Sequence, residues 1–144
     1  MINMVTFEQL GICKQLTRIC RLIGFEKATK IQTYVIPYAI KNRDIIGCSY
    51  TGSGKTLAFL LPILNELSIK HIKLKSLIIL PSRELAFQIA SYVESLGIIF
   101  GIKTIILSGG IKESFQIQLF ETKPDIIVCT PGRLYDHLKK NKKL

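Results

Sequence analysis

A chain of 144 residues, 48% of them hydrophobic, can bury one core but is too short for two ordinary domains, which excludes a disordered tail. Its formal net charge of +10 favours a polyanionic partner such as nucleic acid. The start "MINMVTFEQL" has no basic segment leading into an apolar core, and Pro62, Lys103 and Ser108 interrupt the most apolar stretches, so an intracellular protein without a membrane span is expected.

From about Gln9 to Ile23, Leu10, Cys13, Leu16, Ile19, Cys20 and Ile23 recur at three- and four-residue spacing, which predicts an amphipathic helix ending at Gly24. Short apolar runs follow at 44–48 (DIIGC), 75–80 (KSLIIL), 103–107 (KTIIL) and 125–129 (DIIVC), and they read as strands buried on both faces. Helical patterns alternate with them at Lys55–Leu67, Arg83–Leu96, Lys112–Phe120 and from Gly132 to about Lys139. Strands alternating with helices imply an α/β fold with a parallel sheet. The basic tail "LKKNKKL" reads as a solvated terminus. Cys13, Cys20, Cys48 and Cys129 lie far apart without a CxxC pair, so reduced, buried thiols are expected rather than zinc ligands or disulfides.

The chemistry-bearing stretch is "CSYTGSGKT", Cys48 to Thr56, placed between the first apolar run and the helical pattern that opens at Lys55. Gly52 and Gly54 permit backbone angles closed to other residues. The loop Ser49, Tyr50, Thr51, Gly52, Ser53, Gly54 can therefore turn successive N–H groups around a phosphate at the positive end of a helix. Lys55 would place a point charge on the outer phosphates, and the Thr56 hydroxyl would ligate Mg²⁺ carried with the nucleotide. Ser49 stands where the phosphate-loop pattern has its first glycine.

Ahead of this loop, "GFEKATKIQ" (Gly24 to Gln32) resembles the Q motif of the DEAD-box RNA helicases, Gly-Phe-x-x-Pro-Thr-x-Ile-Gln, with Phe7 placed as the isolated upstream aromatic and Ala28 in place of the proline. The resemblance implies that Gln32 hydrogen-bonds the adenine of ATP, with Lys27 and Phe7 beside it. Downstream, Pro81, Ser82, Arg83 and Glu84 open a stretch similar to motif Ia. Gly109 and Gly110 resemble the GG motif, and Thr130, Pro131, Gly132 and Arg133 match motif Ib. All follow the carboxyl ends of predicted strands, where ligands bind in open α/β sheets. The resemblance implies contacts to RNA backbone, independent of sequence and weakened by salt.

The family resemblance runs from Phe7 to about His137 and implies a RecA-like P-loop NTPase domain over 1–144, with the Q motif at about 5–33. The stretches "TKIQ", "RDIIG" and "RELAFQI" look most like nucleolar helicases of ribosomal-RNA processing, which implies a nuclear or nucleolar setting and ribosome-assembly proteins as partners. Three expected parts do not occur in these residues. The strand ending in Asp-Glu-Ala-Asp is absent, since the aspartates are Asp44, Asp125 and Asp136, and so are the Ser-Ala-Thr strand and a second helicase domain. The chain is therefore expected to represent the front part of an ATP-dependent RNA helicase that binds ATP and Mg²⁺ without hydrolysis. A stand-alone, non-catalytic module binding ATP, RNA or a protein is the alternative.

Overall fold

The computed structural model of the chain describes residues 5–69 and 76–140, so Lys75 of the second predicted strand and residues 141–144 of the basic tail lie outside the described residues. The described residues form two compact units, 5–69 and 76–140.

The first unit is helical: α1 (Lys14–Leu22), α2 (Lys30–Ala39) and α3 (Lys55–Ile69), with α1 and α2 both packing on α3. α3 buries Leu57, Leu60, Leu61 and Leu64, the three- and four-residue spacing of a core-facing stripe. α1 is shorter than expected because residues 7–11 form a turn, in which the Phe7 carbonyl accepts from the N–H groups of Leu10 and Ile12. Asn65 on α3 fixes the helix start, accepting from Cys13 N–H at 2.7 Å. The helix ends as its pattern predicts, with Gly24 at φ +91° donating to the Arg21 carbonyl. α2 was not anticipated by periodicity. Its signal is a capping box, Thr29-x-x-Gln32, in which each side chain satisfies a backbone N–H of the other residue's end.

Residues 44–48, expected as a strand buried on both faces, are neither: no strand forms there, and Ile46 is 95% exposed. A strand exists only with a neighbour to take its N–H and C=O groups, and none of the described strands pairs with this segment.

The second unit contains β1 (Ser76–Ile79), β2 (Thr104–Leu107) and β3 (Ile126–Cys129), all parallel in the order β1-β3-β2, with α4 (Arg83–Gly97), α5 (Glu113–Glu121) and α6 (Pro131–Lys140) between and after them. Ile105, Leu107, Ile127 and Cys129 make one core face with Leu119 and Phe120 of α5 and Leu134 of α6. α4 packs on β2 and β3 through its stripe Ala86, Ile89, Ala90 and Val93. Only β3, the central strand, is buried on both faces as expected. β1 is an edge strand, with Leu77 and Ile79 each about half exposed. The expectation of buried thiols also needs correction: Cys20 and Cys129 are buried, Cys13 is half-buried and Cys48 is exposed, all four free. Burial pushes the Cys20 thiol up to about 12, so it stays protonated. Among the described residues no helix is long and apolar enough to cross a membrane.

Candidate functional site

In the first unit the loop before α3 takes the backbone its glycines allow, with Gly52 at φ +83° and Gly54 at φ +93°. The helix begins at Lys55, as the motif requires. Lys55 folds back over the loop, its Nζ donating to the carbonyls of Ser49 at 2.5 Å and Tyr50 at 2.7 Å. That leaves the ammonium group at the loop's mouth with a donor still available. Ser53 is buried and its hydroxyl has no partner among the described residues, while its N–H donates to the Tyr50 carbonyl at 3.3 Å. Glycine-supplied turns, an unpartnered hydroxyl, a lysine and a helix N-terminus form a donor set suited to an anion.

Gln32 is tied into this loop. It is 2% exposed; its Oε1 accepts from Thr29 N–H at 2.8 Å and its Nε2 donates to the Gly54 carbonyl at 2.9 Å. An amide has two N–H donors and two acceptor lone pairs, so one of each remains for a ligand. Phe7 is fully buried, so it contributes packing, while Lys27 is exposed. Thr56 sits half-buried one residue into α3. The link from Gln32 to the Gly54 carbonyl is legible only in three dimensions, since no spacing rule joins positions 32 and 54.

In the second unit the three segments after the strands lie at one end of the sheet, in the order set by β1-β3-β2. Ser82 caps α4, its hydroxyl accepting from Leu85 N–H at 3.2 Å. Arg83 is exposed, and its guanidinium lies over the glycine pair: a Cβ on Gly109 would meet Arg83 Cζ at 3.1 Å. A side chain at 109 would displace the exposed guanidinium by a few tenths of an ångström. Glu84 is exposed, and hydrogen bonds from its own N–H and then from Ser82 hold its carboxyl below the usual range. An ionised carboxylate repels phosphate, so its place is at the positive end of α4.

Pro131 and Gly132 open α6 in exposed positions, with Thr130 half-buried before them. Arg133, expected to lend its charge outward, is half-buried: its Nε donates to Gln116 Oε1 at 2.9 Å and its Nη2 to the Ile111 carbonyl at 2.6 Å. Gln116 and His137, both fully buried, were not singled out in the sequence. Gln116 lies two residues from Gln118 in "ESFQIQLFE", and nothing local distinguishes a buried glutamine there from an exposed one.

Comparison with known proteins follows the same outline. Residues 29–144 match the family model of the DEAD/DEAH box helicases. The human protein named Probable ATP-dependent RNA helicase DDX47 is 47% identical over 137 residues, covering 95% of this chain and 30% of its own length. ATP-dependent rRNA helicase rrp3 of Aspergillus niger is also 47% identical, with 95% of this chain and 29% of its own covered. Among solved structures, the RNA-helicase Prp28 from Chaetomium thermophilum bound to ADP matches with a TM-score of 0.87 at 35% identity, over 100% of this chain and 37% of that one. A DEAD box protein from Methanococcus jannaschii matches with a TM-score of 0.88 at 33% identity, over 96% of this chain and 38% of that one. The chain spans about 30% of the length of the curated relatives it matches.

Proposed function

Because the chain belongs to the DEAD/DEAH box helicase family, we propose that it is the nucleotide- and RNA-binding front part of an ATP-dependent RNA helicase acting in ribosomal-RNA processing. The observation that carries the reading is the coupling of Gln32 to the phosphate-type loop through the Gly54 carbonyl. It supports the reading because the amide that would read the base is hydrogen-bonded directly to the loop that would cradle the phosphates. The loop N–H groups, Ser53 and Lys55 would hold the phosphates, and Thr56 would ligate the accompanying Mg²⁺. The bound metal supplies charge neutralisation at the phosphates. Gln32, with Lys27 alongside and Phe7 packed beneath, would read adenine through its remaining N–H and lone pair. The names of the rRNA helicase relatives support the ribosomal-RNA assignment and with it a nucleolar setting and ribosome-assembly partners.

Adenine reading is tested by Gln32→Ala. The substitution should weaken ATP by about 1–3 kcal/mol more than it weakens GTP, the range for a neutral bidentate contact. Titration calorimetry decides it, and equal losses for both nucleotides would remove the adenine assignment.

For RNA, the proposal uses Arg83, the Gly109–Gly110 backbone, Thr130 and the N–H groups opening α6 after Pro131 as contacts to backbone phosphate. Arg133 adds its remaining donors, and Ser82 and Glu84 order the start of α4. Arg83 is the better single test because it is exposed, whereas removing Arg133 would also strip partners from Gln116 and Ile111. Arg83→Ala should weaken single-stranded RNA of any sequence alike and reduce the slope of log K against log salt by about 0.7 for each phosphate no longer neutralised. A loss of affinity that depends on RNA sequence, with an unchanged salt slope, would contradict it.

A further inference from the structure

Beneath the segments assigned to RNA lies a buried polar cluster centred on Gln116 and His137, neither of which is assigned to the nucleotide or phosphate contacts. Gln116 on α5 is engaged in every direction its amide allows. Nε2 donates to the Ser108 carbonyl at 2.8 Å and, longer, to the Ile111 carbonyl at 3.4 Å; Oε1 accepts from Arg133 Nε at 2.9 Å and stands 2.7 Å from His137 Nε2. An amide oxygen has no proton to give, so Nε2 of His137 must carry the hydrogen. The Nδ1 of His137 is buried and without a partner among the described residues, so a second proton there would go unpaired, and the ring meets Phe120 edge-on at 5.8 Å. Burial, and then the nearby Arg133 charge, pull its pKa below the ordinary value. The other charges around it are Glu113 on α5 and Asp136 and Lys140 on α6, with Glu113 and Lys140 paired at 2.8 Å.

We infer that Gln116 is a positioning residue for RNA binding: its amide clamps the 108–111 loop to the first turns of α6, fixing the spacing of the two phosphate-contacting segments. The inference rests on the proposed RNA reading. What singles Gln116 out is where its partners sit. Ser108 and Ile111 bracket Gly109 and Gly110, while Arg133 follows Thr130, Pro131 and Gly132, so one side chain bridges both segments. Arg83 rests on the same glycine pair, which carries the register on to the third segment. An apolar side chain of similar size would fill the space, but the buried carbonyls and the Arg133 and His137 N–H groups would then lack partners. A buried amide whose donors and acceptor are all engaged holds its partners in one arrangement, which is what contacts to evenly spaced phosphates require.

The test uses the full chain, with Gln116→Leu and Gln116→Glu beside the wild type. Affinity for a fluorescein-labelled oligouridylate of about ten nucleotides is read by anisotropy across a salt series, and affinity for a fluorescent ATP analogue is read separately. Gln116→Leu should lose about tenfold in RNA affinity while nucleotide affinity stays within about twofold. If that variant melts non-cooperatively, Gln116→Glu carries the test, because its carboxylate still accepts from Arg133 and His137 and lacks only the N–H donors to Ser108 and Ile111. Its facing charge should raise the His137 pKa, followed by NMR with His71→Asn to assign the two histidine signals. RNA affinity of Gln116→Glu should then acquire a dependence on pH between about 6 and 8 that the wild type lacks. Wild-type RNA affinity in a cooperatively folded Gln116→Leu overturns the inference and leaves the RNA reading standing. RNA and nucleotide affinity falling in parallel also overturns it, because that marks a general loss of structure. No salt-dependent RNA binding by the wild type sinks both.

Discussion

Replacing Gly54 with alanine should abolish measurable nucleotide binding and lower the melting temperature by on the order of 10 °C. Two costs combine. Gly54 has φ +93°, a region where an L side chain costs about 1–2 kcal/mol. A Cβ there would also lie 2.5 Å from Gln32 Nε2, 2.9 Å from Thr29 Oγ1 and 3.2 Å from Gln32 Cδ. Gln32 cannot swing aside freely, because it is buried and held by both the Thr29 N–H and the Gly54 carbonyl. Moving it breaks the capping box that starts α2, worth about 1 kcal/mol more. Gly52 supplies the control: its φ is +83° but a Cβ would meet nothing within 4 Å, so Gly52→Ala should carry only the backbone cost. A double-mutant cycle isolates the clash. In a Gln32→Ala background, Gly54→Ala should cost less than in the wild type. Equal costs in the two backgrounds, read from thermal melts, would show that Gln32 is not what the new methyl group strikes.

The glycines of this loop were legible because the phosphate-loop pattern states a backbone requirement, and backbone requirements are local. So were α4 and β3: a three- and four-residue apolar stripe and an unbroken apolar run each name their own burial. Residues 44–48 show the limit of that reading. "DIIGC" has the same apolar character as "DIIVC", yet β3 has a neighbour on each side while 44–48 has none among the described strands, and Ile46 lies open to solvent. A strand is a property of a pair, so composition alone cannot assign it. β1 differs from expectation for the same reason, since its exposed Leu77 and Ile79 reflect an edge position that no local pattern encodes. Gln116 is harder still. Its burial and its hydrogen bonds depend on the arrival of α6 and the 108–111 loop, and glutamine is ordinarily a surface residue. The candidate nucleotide residues were therefore readable from motif and resemblance, whereas the inward engagement of Arg133 and the clamp beneath it were not.

Residues 1–144 by themselves should bind nucleotide without turning it over, and should melt well below a chimera completed with the Asp-Glu-Ala-Asp and Ser-Ala-Thr strands of a relative. Hydrolysis in phosphate-loop enzymes needs a carboxylate at a strand end to hold the metal and orient water, beside the lysine and hydroxyl of the loop. In the proposed site Lys55 and Thr56 would supply the second part. The strands observed end at Ile79, Leu107 and Cys129, followed by Leu80, Ser108 and Thr130, none of them acidic. Asp125 stands at the opposite end of β3, where its carboxylate accepts from Lys103 N–H at 2.9 Å and steadies the strand starts. Asp44 and Asp136 lie exposed on a non-strand segment and on α6. Stability follows from the same strands. From the resemblance, we expect one of these strands to pair with the phosphate-loop segment and one with β1. In residues 1–144 the apolar β1 edge is half exposed and 44–48 is exposed, and unpaired apolar edges invite association. The chimera should convert 44–48 into a paired strand, bury Leu77 and Ile79 and gain a magnesium-dependent ATPase rate. Measured side by side, a cooperative melt and magnesium-dependent turnover in residues 1–144 equal to those of the chimera would refute both halves of this expectation. Turnover confined to the chimera would place the missing carboxylate, rather than the loop, as the step that the 144 residues lack.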